Sequence, residues 1–223
     1  MRQLLSRLSL CLMFALSANM ANAQDINLLP QYGGVTKNAA QLSADQTFLA
    51  GIDQQFKGDR KKAAEFTANR GWQLLQQGNL NDAMRRFNQA WLIDANNGSA
   101  VWGMAAVVGS TKQIEHALPL FEQAQALLPK DIDFAVDYAR TIGMAAAENH
   151  NAPMLAQALA KFAQLHQRAP EHTLNLQNWA IVLFYQGEFA QAWQKIKLAE
   201  ATSQAKDLDP RFIKDLEKKM ARP

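Results

Sequence analysis

Residues 64–97 read AEFTANRGWQLLQQGNLNDAMRRFNQAWLIDANN, and residues 98–131 read GSAVWGMAAVVGSTKQIEHALPLFEQAQALLPKD. Laid one over the other without a gap, Ala83 meets Ala117, Phe87 meets Phe121 and Ala90 meets Ala124, each pair thirty-four residues apart. The first block also carries Gly71, Gly78 and Ile93; the second carries Ala105, Leu127 and Pro129. Small and bulky apolar residues repeating at this period predict helix-turn-helix units, each too small to bury its own apolar face and therefore stacked on the next.

These positions resemble the tetratricopeptide repeat. Gly71 and Ala105 take the place of the small residue where paired helices cross. Ala83 and Ala117 fit the close contact early in the second helix, Phe87 and Phe121 the bulky wedge, and Ala90 and Ala124 the next small contact. Thr67 stands where the family often has Trp, and Leu74 and Val108 where it often has an aromatic residue. The resemblance implies an all-α fold: a right-handed α-solenoid of about four helix-turn-helix repeats with terminal capping helices. It specifies architecture and leaves the partner unnamed.

Working outward, a third copy starts in register with Ala135, Tyr138, Ala139 and Ile142. Its second helix, marked by Ala158, Phe162 and Leu165, fits only if about seven residues are inserted around 148–153, which reads as an enlarged turn opened by Pro153. The fourth copy carries Trp179, Ala180, Leu183, Gly187, Phe189, Ala192, Ile196 and Ala199. The repeats are thus placed at about 64–97, 98–131, 132–170 and 173–206. Asp209-Pro210 is a strong helix start, and Phe212, Ile213 and Leu216 give the helix over 209–223 one apolar stripe with which to seal the last repeat. Ahead of the repeats, Ser43 is expected to cap a helix bearing Phe48, Leu49, Ile52 and Phe56, ended by Gly58, that covers the first unit. Residues 24–42 read as an irregular arm broken by Pro30, Gly33 and Gly34.

Residues 1–23 combine Arg2 and Arg7, an apolar run from Leu8 to Leu16 and Ala21-Asn22-Ala23, the pattern of a secretory signal peptide cleaved after Ala23. Cys11 is the one cysteine, and Leu8-Ser9-Leu10-Cys11 makes a poor lipobox. A periplasmic or secreted protein without a thiol is therefore expected. The formal charge of +3 includes Arg2 and Arg7; without them 21 basic face 20 acidic residues, a balance of +1. A surface so evenly charged lacks the basic stripe that nucleic-acid binding requires. No later apolar run approaches the ~20 residues of a membrane span.

The resemblance puts the first helix of each repeat on the concave side, which implies a groove bearing Asn69, Trp72, Trp102, Asp137, Arg140, Gln177 and Asn178. Trp72 and Trp102 offer rigid contact area, with ordinary packing between helices as the alternative. Asn69 and Asn178 stand where the family grips a peptide backbone. A carboxylate clamp is not expected, because Ala68 and Trp102 occupy the places where basic residues are wanted. His116, His150, His166 and His172 show no metal-ligand spacing, and neither G-x-S-x-G nor a phosphate-cradling glycine loop occurs. The expectation is a non-catalytic adaptor or scaffold without cofactor that binds a protein or peptide, in envelope assembly or secretion. The alternatives are a self-associating homo-oligomer whose groove is filled by the N-terminal arm and, last, a cell-wall-acting enzyme.

Overall fold

The computed structural model describes residues 25–111 and 114–223, so the leader expected over 1–23, Cys11 included, lies outside the described residues. Ten α-helices, and no strand, make up the described chain. They are α1 (Ala39–Gln55), α2 (Arg60–Gln76), α3 (Leu80–Ile93), α4 (Gly98–Ser110), α5 (Ile114–Leu127), α6 (Ile132–Glu148), α7 (Ala152–Arg168), α8 (Thr173–Tyr185), α9 (Phe189–Glu200) and α10 (Pro210–Lys219). Polar side chains at the helix starts explain the boundaries. Asp59, Asn79, Asn97, Asp131 and Asn151 each accept a backbone N–H from the first turn of the helix that follows. Each such cap is worth about 0.5–2 kcal/mol.

The helices pair as α2/α3, α4/α5, α6/α7 and α8/α9. Gly78 at φ +77° and Gly187 at φ +79° make the tight turns of the first and last hairpins, in the left-handed region where glycine is unstrained. Phe87 on α3 then locks the first hairpin to the second. A methyl group on Gly71 of α2 would lie 2.6 Å from this ring, and one on Gly103 of α4 would lie 2.1 Å from it. The phenyl thus fills space that two glycines leave empty on successive hairpins, and it is fully buried.

The first helices of neighbouring hairpins pack together, α2 on α4 and α6 on α8, whereas none of α3, α5, α7 and α9 packs against another of that set. The row α2, α4, α6, α8 is therefore the inner, shorter side of an α-solenoid, and the other row is the outer side. At its far end α10 lays the buried Leu216, with Phe212 and Ile213, on the α8/α9 core. At the near end Phe48, Leu49 and Ile52 of α1, with Phe56 just past its end, cover Ala63, Ala64 and Ile93, although no residue of α1 is itself buried.

Three local readings change. Helix α1 opens at Ala39 rather than at Ser43, because Asn38 and Gln41 form a reciprocal capping box ahead of it. The extra residues of the third repeat do not enlarge a turn. They lengthen α6 and α7 to 17 residues each and leave a short link in which His150 takes a left-handed φ of 51°. The run Met144-Ala145-Ala146-Ala147-Glu148 favours helix strongly, and Asn151 caps α7 immediately after it.

The arm is likewise ordered: two short 3-10 turns, Ile26–Leu28 and Pro30–Gly34, lie against α3. Asn88, buried on α3, donates to the carbonyls of Asn27 at 2.9 Å and Leu29 at 2.8 Å. Asp25 pairs with Arg85 at 3.1 Å, and Gln31 reaches Gln123 of α5 at 2.8 Å. The buried Tyr32 packs against Trp91, with the Lys37 ammonium 3.5 Å above its ring.

Replacing Gly103 by alanine is expected to overpack the Phe87 contact and lower unfolding stability by about 1–3 kcal/mol. Gly51→Ala makes the matched control: this helix-interior glycine has open space around it, so alanine there should raise stability by about 1 kcal/mol. Urea unfolding of both variants checks the pair, and equal effects would remove the steric role given to Phe87.

Candidate functional site

Asp137 follows Gly103 by thirty-four residues. At the first junction this position holds no side chain and admits Phe87; at the second it holds a carboxylate. A phenyl wedge cannot enter there as it does at Gly103. Instead Phe121 of α5 stacks on Tyr138 of α6, with ring centroids 5.4 Å apart and planes 3° from parallel. Helices α4 and α6 barely meet. The gap on the inner side is a hollow of about 420 Å³. Trp72 and Leu75 of α2 and Ala105, Ala106, Gly109 and Ser110 of α4 form one side. Ile114 and Phe121 of α5 line it from below, and Asp137, Arg140, Thr141 and Met144 of α6 close the other side.

An aromatic rail runs along this wall. Trp72 meets Phe87 at 5.3 Å and Trp102 at 4.7 Å, both edge-on, and Trp102 meets Phe134 at 5.8 Å. Each indole also spends its one donor: Trp72 Nε1 donates to Ser99 Oγ at 2.9 Å, and Trp102 Nε1 donates across the α4/α6 gap to Asp137 Oδ2 at 2.8 Å. The two rings are half-buried, so they serve as packing and as surface at once. This bond and the rail tie α2, α4 and α6 together beside the hollow.

Asp137 is the electrostatic feature of the hollow. Its side chain keeps 28% of its surface, while the surrounding helices strip away most of its solvent. Desolvation pushes its pKa above the usual 3.8, opposed by the Trp102 hydrogen bond and by the Arg140 charge. Arg140 Nη1 stands 4.0 Å from Oδ1, beyond hydrogen-bond range. The hollow therefore presents an acceptor and a donor side by side above an apolar floor. Its volume falls in the range of about 300–1,000 Å³ usual for ligand pockets. Among the described residues, no three His, Cys, Asp or Glu side chains gather as a metal site. His172 caps α8 through Nδ1, and its Nε2 lies 3.0 Å from Asp133.

No family model and no curated protein matches the sequence. Solved structures do match in shape. A thermophilic TPR protein of Thermus thermophilus superposes with a TM-score of 0.62 at 17% identity, covering 71% of this chain and 84% of that one. PilF of Pseudomonas aeruginosa superposes at 0.56 and 19% identity, over 72% and 70% of the two chains. YrrB, described as a TPR protein with an unusual peptide-binding site, superposes at 0.51 and 20% identity, over 80% and 86%. The chain has the tetratricopeptide-repeat fold.

Within this tetratricopeptide solenoid, four of the seven groove residues named from the sequence come together: Trp72, Trp102, Asp137 and Arg140. Asn69 is exposed on α2, and Asn178 is half-buried on α8; neither lines the hollow. Gln177 is buried and accepts the Asp209 N–H at 2.6 Å, so it holds the start of α10 instead of facing a groove. Leu75, Ile114, Thr141 and Met144 also line the hollow and were not named from the sequence. The signal that could have found them is the Gly103 to Asp137 exchange in the thirty-four-residue register.

The raised pKa of Asp137 has a definite sign. As pH climbs above 3.8 the unfolded carboxyl ionises first, so this residue lowers stability between its unfolded and folded values. Asn at 137 keeps the acceptor for Trp102 and has no charge to desolvate. The Asp137→Asn variant should therefore match the parent protein at pH 3 and gain on it by pH 7 in urea unfolding. A difference independent of pH would contradict the burial of that charge.

Proposed function

We propose that this is a non-catalytic interaction module that holds a protein or peptide segment on the inner side of its solenoid, across the α4/α6 hollow. The observation that carries the reading is the hollow itself: an apolar concavity beside half-exposed Trp72 and Trp102, framed by helices rather than by mobile loops. Aromatic rings of this kind lose little entropy on docking and supply large contact area. An amphipathic helix or extended segment with one bulky apolar anchor suits such a surface. The peptide-binding site ascribed to YrrB is consistent with that use of the fold. The pattern of residues 1–23 supports export, and an exported adaptor belongs to envelope assembly or secretion.

The self-filling alternative loses its simplest form, because the chain's own arm is tied by Asn88, Arg85 and Gln123 to the outer side. What remains of it is association between copies, read out by light scattering.

A photo-crosslinking residue at Ser110, on the hollow, should give a specific adduct in the producing cell, and one at Arg86, exposed on α3, should not. Trp72→Ala and Trp102→Ala should each reduce the Ser110 adduct at unchanged far-UV circular dichroism. Equal adducts from both positions, or a yield that ignores both tryptophans, would remove the groove reading. The export reading makes its own forecast: the chain recovered from the periplasmic fraction begins at Gln24, and an intact Met1 would refute cleavage.

A further inference from the structure

The second junction also carries a cleft on its outer side, where, as throughout the outer row, consecutive helices do not pack on each other. The cleft, of about 130 Å³, lies between α5 and α7 with α6 as its floor. Its apolar part is Leu128, Pro129, Phe134, Ala135 and Leu165. Its polar part is one-sided: Lys161, Gln164 and Arg168 from α7, Gln125 from α5, and Tyr138 from α6.

All five of those polar heads can donate, and the lining contains no carboxylate. Neither cation has an acidic partner within 4.0 Å, and none of the five heads makes a hydrogen bond within the described chain. Lys161 instead rests its ammonium 4.9 Å from the centroid of the Tyr138 ring. Burial, then the charge of Glu122, pushes the Tyr138 pKa up from its ordinary value, and a phenol is protonated, hence a donor, at neutral pH even without that shift. Glu122 is the acidic side chain felt at Tyr138, and it stays outside the lining.

We infer that this outer cleft is an oxyanion subsite, built for a single carboxylate or phosphate group. Two cations without an acidic partner, Lys161 and Arg168, line the space, and Gln125, Gln164 and Tyr138 add neutral donors for directional bonds to the oxygens, as charge-assisted recognition requires. The cleft is too small for a folded element but accommodates one such group with the methyl or methylene that carries it, the carbon resting on Leu128 and Leu165. This site is separate from the α4/α6 hollow: the Phe121, Phe134 and Tyr138 rings stand between them. It therefore holds or fails independently of the groove.

The test uses the ¹⁵N-labelled folded protein titrated with N-acetyl-alanine, with N-acetyl-alanine amide and with inorganic phosphate. Saturable shifts centred on Tyr138, Lys161 and Gln164 are expected for an anion and not for the neutral amide. The tighter of the two anions identifies the source as a peptide-type carboxylate or a phosphate. Lys161→Gln and Arg168→Gln should each weaken binding about tenfold, and an anion that raises the urea midpoint of the parent protein should not raise that of the double variant. Shifts that fail to saturate, that appear equally with the amide, or that persist in the double variant would overturn the assignment.

Discussion

The structure depends on how an aromatic ring from the outer row of helices fits between two helices of the inner row. At the first junction the fit is complete: Phe87 enters a slot that exists because Gly71 and Gly103 have no side chain. Two short hairpins thereby share one continuous core, which neither can build alone. At the second junction Asp137 replaces the second glycine, the slot is closed to a ring, and Phe121 turns to stack on Tyr138. That exchange coincides with the gap between α4 and α6, which barely meet although α2 packs on α4 and α6 on α8. The hollow on the inner flank of α6 lies at that exchange, with Asp137 in its lining.

The openness of this junction is tolerable because polar groups cross it. The Trp102 indole ties α4 to the Asp137 carboxylate across it. Removing the indole donor would leave the acid desolvated with only a distant guanidinium to offset it, so the same bond that ties the two helices also makes the acid admissible. A farther tie has similar logic: Asn149 of the α6/α7 link donates to Glu115 of α5 at 2.8 Å, holding the far end of α6 to the neighbouring hairpin.

Much of this was legible in residues 64–131, because alanine, glycine and phenylalanine recurring every thirty-four positions are tied to helix crossings that tolerate few other sizes. Trp72, Trp102, Asp137 and Arg140 were placed on one wall by the family resemblance, and the structure brings these four together. The reading went astray where the register does not govern. Gln177 occupies a groove position by spacing, yet α10 arrives over it and takes its amide for a cap. The seven added residues of the third repeat fell into helix, since an alanine run carries more helical preference than the neighbouring Asn149-His150-Asn151 carries turn preference. The arm could not be placed at all from its own residues, because what orders it is Asn88, a polar residue buried on a helix far along the chain.

That last contact also determines which way the chain enters the domain. With Asn27 and Leu29 hydrogen-bonded to α3, and Asp25 beside Arg85, the polypeptide comes in over the outer row and not across the inner one. Asp25, the first described residue, is thereby fixed on the outer side against α3, on the opposite row from the Trp72 and Trp102 wall.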